Sequence, residues 1–133
     1  FVESCDIMVA PDKGALRKSV EIATAFSMEC LQSDKVRDPV TGYISETIVA
    51  IPYQSFLKNK VILVCDDICD GGMTFNLLAE ELKKNEPAAI KLLITHGIVS
   101  KGVETLRENF DSLMVLNCMN DDLEEDEFLT IVG

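Results

Sequence analysis

The sequence contains no tryptophan and no apolar run that approaches the roughly 20 residues needed to cross a bilayer. Its start also lacks the basic and then apolar pattern of a signal peptide. We therefore expect no association with membranes. The first residue is Phe1 rather than methionine, so the chain is open to being a fragment of a longer protein. Its 133 residues, 47% of them hydrophobic, suffice for one domain with one core.

Basic residues are also scarce. Lys and Arg total 12 against 23 Asp and Glu, which gives a formal net charge of −11. This balance argues against nucleic-acid binding, because a basic surface is needed to attract the phosphate backbone. Many of the acids lie at 121–127, and residues 119–133 are interpreted as an acidic C-terminal tail. The 5 cysteines are odd in number and irregularly spaced, which favours reduced thiols in a cytoplasmic protein.

Short apolar runs alternate with amphipathic segments up to about residue 118. The predicted strands are 5–10, 46–51, 61–66, 89–97 and 112–118. The predicted helices are 15–30, 74–85 and 100–110. This order predicts an α/β fold in residues 1–118: a doubly wound, mainly parallel sheet flanked by helices. The polar segment 34–46, with its proline and glycine, is expected to be an exposed, mobile loop.

Polar residues follow three of the predicted strands. They are Asp12, the pair Asp66 and Asp67, and the run 95–97, Thr-His-Gly. Ligands of open parallel sheets bind beyond the carboxyl ends of the strands, where these residues should meet. His96 is assigned a packing or hydrogen-bonding role rather than a chemical one.

The segment 66–74, DDICDGGMT, carries the most specific signal. Gly71 and Gly72 permit backbone conformations closed to other residues, and the helix that starts near Thr74 points free N–H groups at the turn. That combination suits a phosphate, whereas the two adjacent aspartates suit sugar hydroxyls or a bridging Mg²⁺. A phosphorylated sugar would satisfy both halves. The alternative is an ordinary turn in which Asp70 caps the helix.

This segment resembles the binding motif for phosphoribosyl pyrophosphate (PRPP) in type I phosphoribosyltransferases and PRPP synthetases. Three more segments resemble those of the synthetases and occur in the same order. VAPDKGALRKSVEIA (9–23) is similar to the pyrophosphate loop, DKVR (34–37) to the flexible catalytic loop, and THGIVSKGVETL (95–106) to the segment after the next strand. The chain is thereby similar to the C-terminal half of a ribose-phosphate diphosphokinase, with a type I phosphoribosyltransferase fold.

The resemblance implies a role for each matching residue. Asp66 and Asp67 would bind the ribose hydroxyls, and Asp12 would hold Mg²⁺. The diphosphate group would meet Lys13, Gly14 and Ala15. Lys35 and Arg37 would be catalytic, closing over that group. The 5-phosphate of ribose 5-phosphate would be bound by Asp70, Gly71, Gly72, Met73 and Thr74.

The implied reaction is diphosphoryl transfer from ATP to ribose 5-phosphate, which forms PRPP for nucleotide biosynthesis. The implied partners are an N-terminal synthetase half, without which the chain would be inactive, and further copies in a homo-oligomer. Met73 stands where the family usually has glycine, and Lys13 and Ala15 stand where small residues or glycine are typical. Two alternatives remain: a phosphoribosyltransferase that consumes PRPP, and a non-catalytic regulatory relative of the synthetases.

Overall fold

A computed structural model describes residues 1–68, 73–96, 104–116 and 124–132. Seven strands form one sheet: β1 (Ile7–Ala10), β2 (Glu29–Arg37), β3 (Ile44–Val49), β4 (Val61–Ile68), β5 (Ala89–His96), β6 (Ser112–Leu116) and β7 (Leu129–Val132). The α-helices are α1 (Lys13–Ala25), α2 (Met73–Lys83) and α3 (Glu104–Arg107), and a short 3₁₀ helix spans Val2–Ser4. None of the helices in these ranges is long and apolar enough to cross a membrane.

The strand order is β3-β2-β1-β4-β5-β6-β7, and every neighbouring pair is parallel except β2 with β3. The predicted mainly parallel sheet is therefore confirmed. The four central strands, β1, β4, β5 and β6, consist largely of apolar residues because both of their faces are covered. Their carboxyl ends lie at one edge of the sheet, and α1 follows β1 at that edge.

The two faces of the sheet carry separate apolar clusters, as the alternation of side chains along a strand requires. On one face Ala23 of α1 packs with Leu63 and Cys65 of β4. On the other, Leu78 of α2 packs with Ile62 of β4 in a larger cluster that also includes α3. Helices thus cover both faces, as a doubly wound sheet predicts.

The helix predicted over 15–30 ends at Ala25, because the chain reverses there. Ser27 adopts a left-handed φ of 58°, and the N–H group of Met28 donates to the carbonyl of Ala23 at 2.8 Å. The next strand then begins at Glu29. Phe26, expected on the buried helix face, is 47% exposed.

The loop predicted for 34–46 is wrong: β2 and β3 form an antiparallel hairpin that includes most of it. The turn is built by Asp38, whose carboxylate accepts from the N–H groups of Val40 and Thr41, and by Gly42, whose φ is +76°. The hairpin lies at the edge of the sheet with most side chains in solvent, so its sequence has the polarity of a loop.

Strand β7 lies beyond residue 118, the predicted end of the domain. It pairs in parallel with β6, from Leu113 opposite Leu129 to Leu116 opposite Val132. Phe128 and Leu129 are buried. The sheet therefore extends into the segment that composition alone marks as an acidic tail.

Candidate functional site

The register of the sheet brings the polar strand ends together. Val9 of β1 lies opposite Val64 of β4, and Asp66 of β4 lies opposite Ile94 of β5. Asp12 follows β1 by two residues, and Asp67 and Thr95 lie at the ends of their strands. All of them therefore occupy one edge of the sheet, where the sequence predicts a ligand.

Asp12 has two partners, one on each carboxylate oxygen. It caps α1, where Oδ1 accepts from the backbone N–H of Ala15 at 2.9 Å. Its Oδ2 accepts from Nζ of Lys35 at 3.1 Å. Lys35 reaches it from β2 with only 16% of its side chain exposed. The residue predicted to hold Mg²⁺ and one predicted catalytic cation are thus in direct contact.

A cleft of about 430 Å³ opens beside this ion pair. Its lining residues are Asp12, Lys13, Gly14, Ser33, Asp34 and Lys35. Lys13 and Gly14 of the first turn of α1 line one side, so the positive end of the helix dipole lies beside the cleft. Two of the three predicted diphosphate residues, Lys13 and Gly14, therefore line a cavity together with Lys35, whereas Ala15 is buried.

Arg37 is placed differently from Lys35. Its Nη1 donates to the carbonyl oxygen of Gly42 at 3.2 Å, across the hairpin turn, and its side chain is exposed. Among the described residues no ion pair includes Arg37. The structure brings one of the two predicted catalytic cations to the acids and not the other.

Asp66 is half-buried, and burial raises the pKa of its carboxyl above the ordinary value. The negative charges of Asp12 and Asp67 raise this pKa further, while the backbone N–H of Asp67 and the charge of Lys35 oppose the rise. That N–H donates to Oδ1 of Asp66 at 2.7 Å. Neighbouring groups of the chain therefore stabilise the ionised form of Asp66 only weakly.

Asp67 has the opposite environment because Lys18 of α1 contacts it. Nζ of Lys18 lies 2.6 Å from Oδ1 of Asp67, and the hydroxyl of Thr95 lies 3.1 Å from the same oxygen. The hydrogen bond from Lys18 lowers the pKa of the Asp67 carboxyl, with a smaller effect from Thr95. The sequence motifs assign no role to Lys18. Its position three residues after the buried Ala15, beside the packed face of the helix, is the signal that could have found it.

Part of the predicted phosphate turn lies outside the described residues, namely Asp70, Gly71 and Gly72. Met73 and Thr74 begin α2, and their side chains also lie outside the description. The helix that the turn was expected to precede is present, with its amino end at the ligand edge of the sheet.

Within the described ranges no three His, Cys, Asp or Glu side chains are grouped so as to hold a metal alone. Mg²⁺ does not need such a group, since it commonly binds through one or two carboxylates, substrate phosphates and water. The carboxylate of Asp12, beside a cleft suited to phosphates, fits that requirement.

Comparison with known proteins identifies the fold family. The family model for the phosphoribosyl transferase domain matches residues 2–128 of this chain. Ribose-phosphate pyrophosphokinases of Pyrococcus furiosus and Thermococcus kodakarensis are each 34% identical over 113 residues, which is 84% of this chain. The chain spans only 38% of the length of either relative.

Solved structures agree on the fold. A phosphoribosylpyrophosphate synthetase from Mycobacterium smegmatis superposes with a TM-score of 0.76 at 20% identity, over 98% of this chain and 41% of that one. An APRTase from Giardia lamblia, complexed with 9-deazaadenine, gives 0.65 at 14% identity, over 85% of this chain and 69% of that one.

Proposed function

Because this chain belongs to the phosphoribosyl transferase domain family, we propose that it is the part of a PRPP synthetase that binds ribose 5-phosphate and the transferred diphosphate. One observation carries the proposal. Three aspartates and two lysines lie together at the ligand edge of the sheet, namely Asp12, Asp66, Asp67, Lys18 and Lys35. Relatives from Pyrococcus furiosus, Thermococcus kodakarensis and Pyrococcus abyssi are ribose-phosphate pyrophosphokinases, which supports synthesis of PRPP over its consumption.

The ribose 5-phosphate site would lie at the ends of β4 and α2. Asp66 and Asp67 would accept hydrogen bonds from the ring hydroxyls. These hydrogen bonds are stronger when the carboxylates are ionised. The 5-phosphate would bind at the turn 70–74, where the free N–H groups at the start of α2 favour an anion. The sugar would then present its anomeric hydroxyl toward the cleft beside Asp12.

The diphosphate would occupy that cleft. The oxygen of the anomeric hydroxyl would attack the β-phosphorus of ATP and lose its proton to solvent. The bond between that phosphorus and the oxygen that bridges it to the α-phosphorus would break, and AMP would leave with the bridging oxygen. Negative charge develops on the transferred oxygens, and Lys13, Lys35 and the amino end of α1 would stabilise it. Mg²⁺ held by Asp12 would supply further positive charge there. Arg37 would have to leave its contact with Gly42 to reach the same group.

The remaining parts of the reaction would come from protein outside this sequence. The chain spans 38% of its curated relatives, so we assign the ATP site to a separate N-terminal half. Assembly as a homo-oligomer and a cytoplasmic location belong to the same proposal. Light scattering of the purified chain, alone and with such a half, measures the assembly directly.

Ligand protection against thermal unfolding tests the sugar site. A ligand at tenfold its Kd stabilises the folded state by about 1.4 kcal/mol, which raises Tm by about 3–5 °C in a domain of this size. We expect such a shift with millimolar ribose 5-phosphate and Mg²⁺, and a smaller one with ribose, which lacks the phosphate. The absence of any shift with ribose 5-phosphate would contradict the proposal.

A consumer of PRPP is the main rival, because the PRPP turn is common to both enzyme groups. Incubation of the chain with PRPP and a panel of nucleobases distinguishes the two. Formation of a nucleotide would establish the rival.

For the regulatory alternative, the test is replacement of Lys35 and Arg37 by Met in the chain supplied with a synthetase N-terminal half and ATP. We expect PRPP synthesis to fall at least 100-fold, whereas unchanged synthesis would argue against their catalytic role.

A further inference from the structure

Lys18, Asp67 and Thr95 form a three-residue contact at the ligand edge of the sheet. Nζ of Lys18 lies 2.6 Å from Oδ1 of Asp67 and 3.0 Å from Oγ1 of Thr95, and this hydroxyl lies 3.1 Å from the same carboxylate oxygen. The residues come from α1, β4 and β5, so only the folded chain brings them together. The roles proposed above for the transferred groups do not involve Lys18.

These contacts fall on one oxygen of Asp67. Among the described residues no hydrogen bond reaches Oδ2, and 59% of the side chain is exposed. An exposed aspartate at a strand end would otherwise sample several rotamers, and a ligand that needed one of them would have to restrict it. Lys18 and Thr95 therefore hold Oδ1 of Asp67, while the exposed part of the carboxylate can meet an external donor.

The neighbouring Asp66 has no such support. No ion pair in the described part of the chain includes Asp66. Strand alternation explains the difference: Asp67 shares a face with Cys65 and α1, whereas Asp66 shares a face with Val64 and α2. The contact is therefore specific to one aspartate of the pair.

We propose that Lys18 is a positioning residue for sugar recognition, which acts through Asp67 by holding its carboxylate oriented toward a ring hydroxyl. Lys18 itself does not touch the ligand. This inference rests on the proposed function, because it assumes that ribose 5-phosphate binds at this edge. It predicts that Lys18 contributes to binding of the sugar and not to binding of the phosphate.

Two ligands separate these contributions: ribose 5-phosphate and inorganic phosphate. NMR titration, which detects millimolar binding, is carried out on the wild-type chain and on Lys18→Met, Lys18→Arg and Lys60→Met. Lys60 is an exposed lysine just before β4, at the opposite end of the sheet, so its variant has the same change in charge away from the site. Unfolding temperatures of all variants control for loss of structure.

For Lys18→Met we expect the affinity for ribose 5-phosphate to fall about tenfold, the value of one weakened hydrogen bond to a charged group. Its affinity for phosphate should stay within about twofold. Lys18→Arg should bind ribose 5-phosphate at least threefold more tightly than Lys18→Met, and Lys60→Met should match wild type. Thr95→Val, which loses the hydroxyl at nearly constant volume, should show a smaller loss that is again selective for the sugar.

Three results would overturn the inference. An equal loss of both ligands in Lys18→Met would make Lys18 a general attractant for anions. Unchanged or tighter binding of ribose 5-phosphate would mean that the contact does not assist the sugar. Failure of the wild-type chain to bind ribose 5-phosphate would overturn both the proposed function and this inference. This outcome is distinguished from the other two because it is seen in the wild-type chain, without any substitution.

Discussion

At the scale of single residues, two adjacent aspartates at the end of β4 have opposite properties. Burial raises the pKa of Asp66, whereas the hydrogen bond from Lys18 lowers the pKa of Asp67. Their side chains leave opposite faces of the strand, so each meets a different neighbourhood. The two aspartates are identical in sequence but differ in structure. Asp67 is oriented by a lysine, whereas Asp66 has no ion-pair partner among the described residues.

The isolation of Asp66 predicts that replacing it stabilises the fold. A carboxyl whose pKa is raised by folding holds its proton more tightly in the folded state, so its contribution to stability falls as pH rises from the unfolded pKa through the folded one. At pH 7 its buried charge is destabilising. We expect Asp66→Asn to raise Tm at pH 7 by about 3 °C, or roughly 1 kcal/mol, while Asn still accepts the N–H of Asp67.

The same reasoning predicts that this gain shrinks as pH falls from 7 toward the ordinary aspartate pKa of about 4, because the raised pKa of folded Asp66 lets its carboxyl take up a proton first. Thermal unfolding followed by circular dichroism across this pH range measures the difference. Glu80→Gln, at an exposed position of α2, has the same change in charge and should show little gain at any pH. A lower Tm for Asp66→Asn than for wild type at pH 7 would refute the prediction.

At the scale of elements, the start of α1 combines a structural and a proposed chemical role in Asp12. Its Oδ1 caps the helix and its Oδ2 pairs with Lys35. We expect Asp12→Ala to lose roughly 1 kcal/mol, the usual value of an N-cap, whereas Asp12→Asn keeps the capping oxygen and most of the stability. Stabilisation by diphosphate with Mg²⁺ should vanish in both variants. Equal losses of unfolding free energy in the two variants would show that the cap is not the source.

A second prediction at this scale compares Gly42, in the turn of the β2–β3 hairpin, with Gly14 in the first turn of α1. Gly42 has a φ of +76°, which costs a residue with a side chain about 1 kcal/mol, although no atom lies within 4 Å of a Cβ built there. A Cβ at Gly14 would meet Oδ1 of Asp12 at 3.4 Å, an ordinary contact in the first turn of α1. We expect Gly42→Ala to speed amide hydrogen exchange in β3 about fivefold, and Gly14→Ala to leave it unchanged. Equal exchange in both variants would disprove the strain at Gly42.

Apart from the predicted strand 46–51, which overlaps the edge strand β3, the strands that sequence could predict are those covered on both faces. Continuous apolar runs predict β1, β4, β5 and β6, and the stripe of Phe75, Leu78 and Leu82 predicts α2. The hairpin could not be predicted in this way, because an edge pairing leaves polar side chains in solvent. The acids of the site follow from strand ends and motifs. Lys18 does not, because its contact with Asp67 depends on how α1 crosses the sheet.

At the scale of the whole molecule, the sheet is completed by residues after the predicted domain. Arg107 of α3 pairs with Asp126, and its guanidinium lies 4.9 Å from the centre of the Phe128 ring. The N–H group of Leu113 in β6 donates to the carbonyl of Phe128 at 2.8 Å. The end of the chain is thus attached to the core by apolar burial, a backbone hydrogen bond and an ion pair.

This attachment predicts that the last strand is needed for stability. Phe128 is 8% exposed and packs in the larger core cluster, so Phe128→Ala should lose roughly 3 kcal/mol through lost burial and the cavity left behind. Val132, 45% exposed on the same segment, provides the control, and Val132→Ala should change stability by less than about 0.5 kcal/mol. Urea unfolding measures both. A chain truncated after residue 118 should unfold at lower urea than Phe128→Ala, because it loses the burial of Leu129 and the pairing of β7 as well. If the truncated chain instead unfolded at the wild-type urea concentration, the domain would end where composition alone predicts.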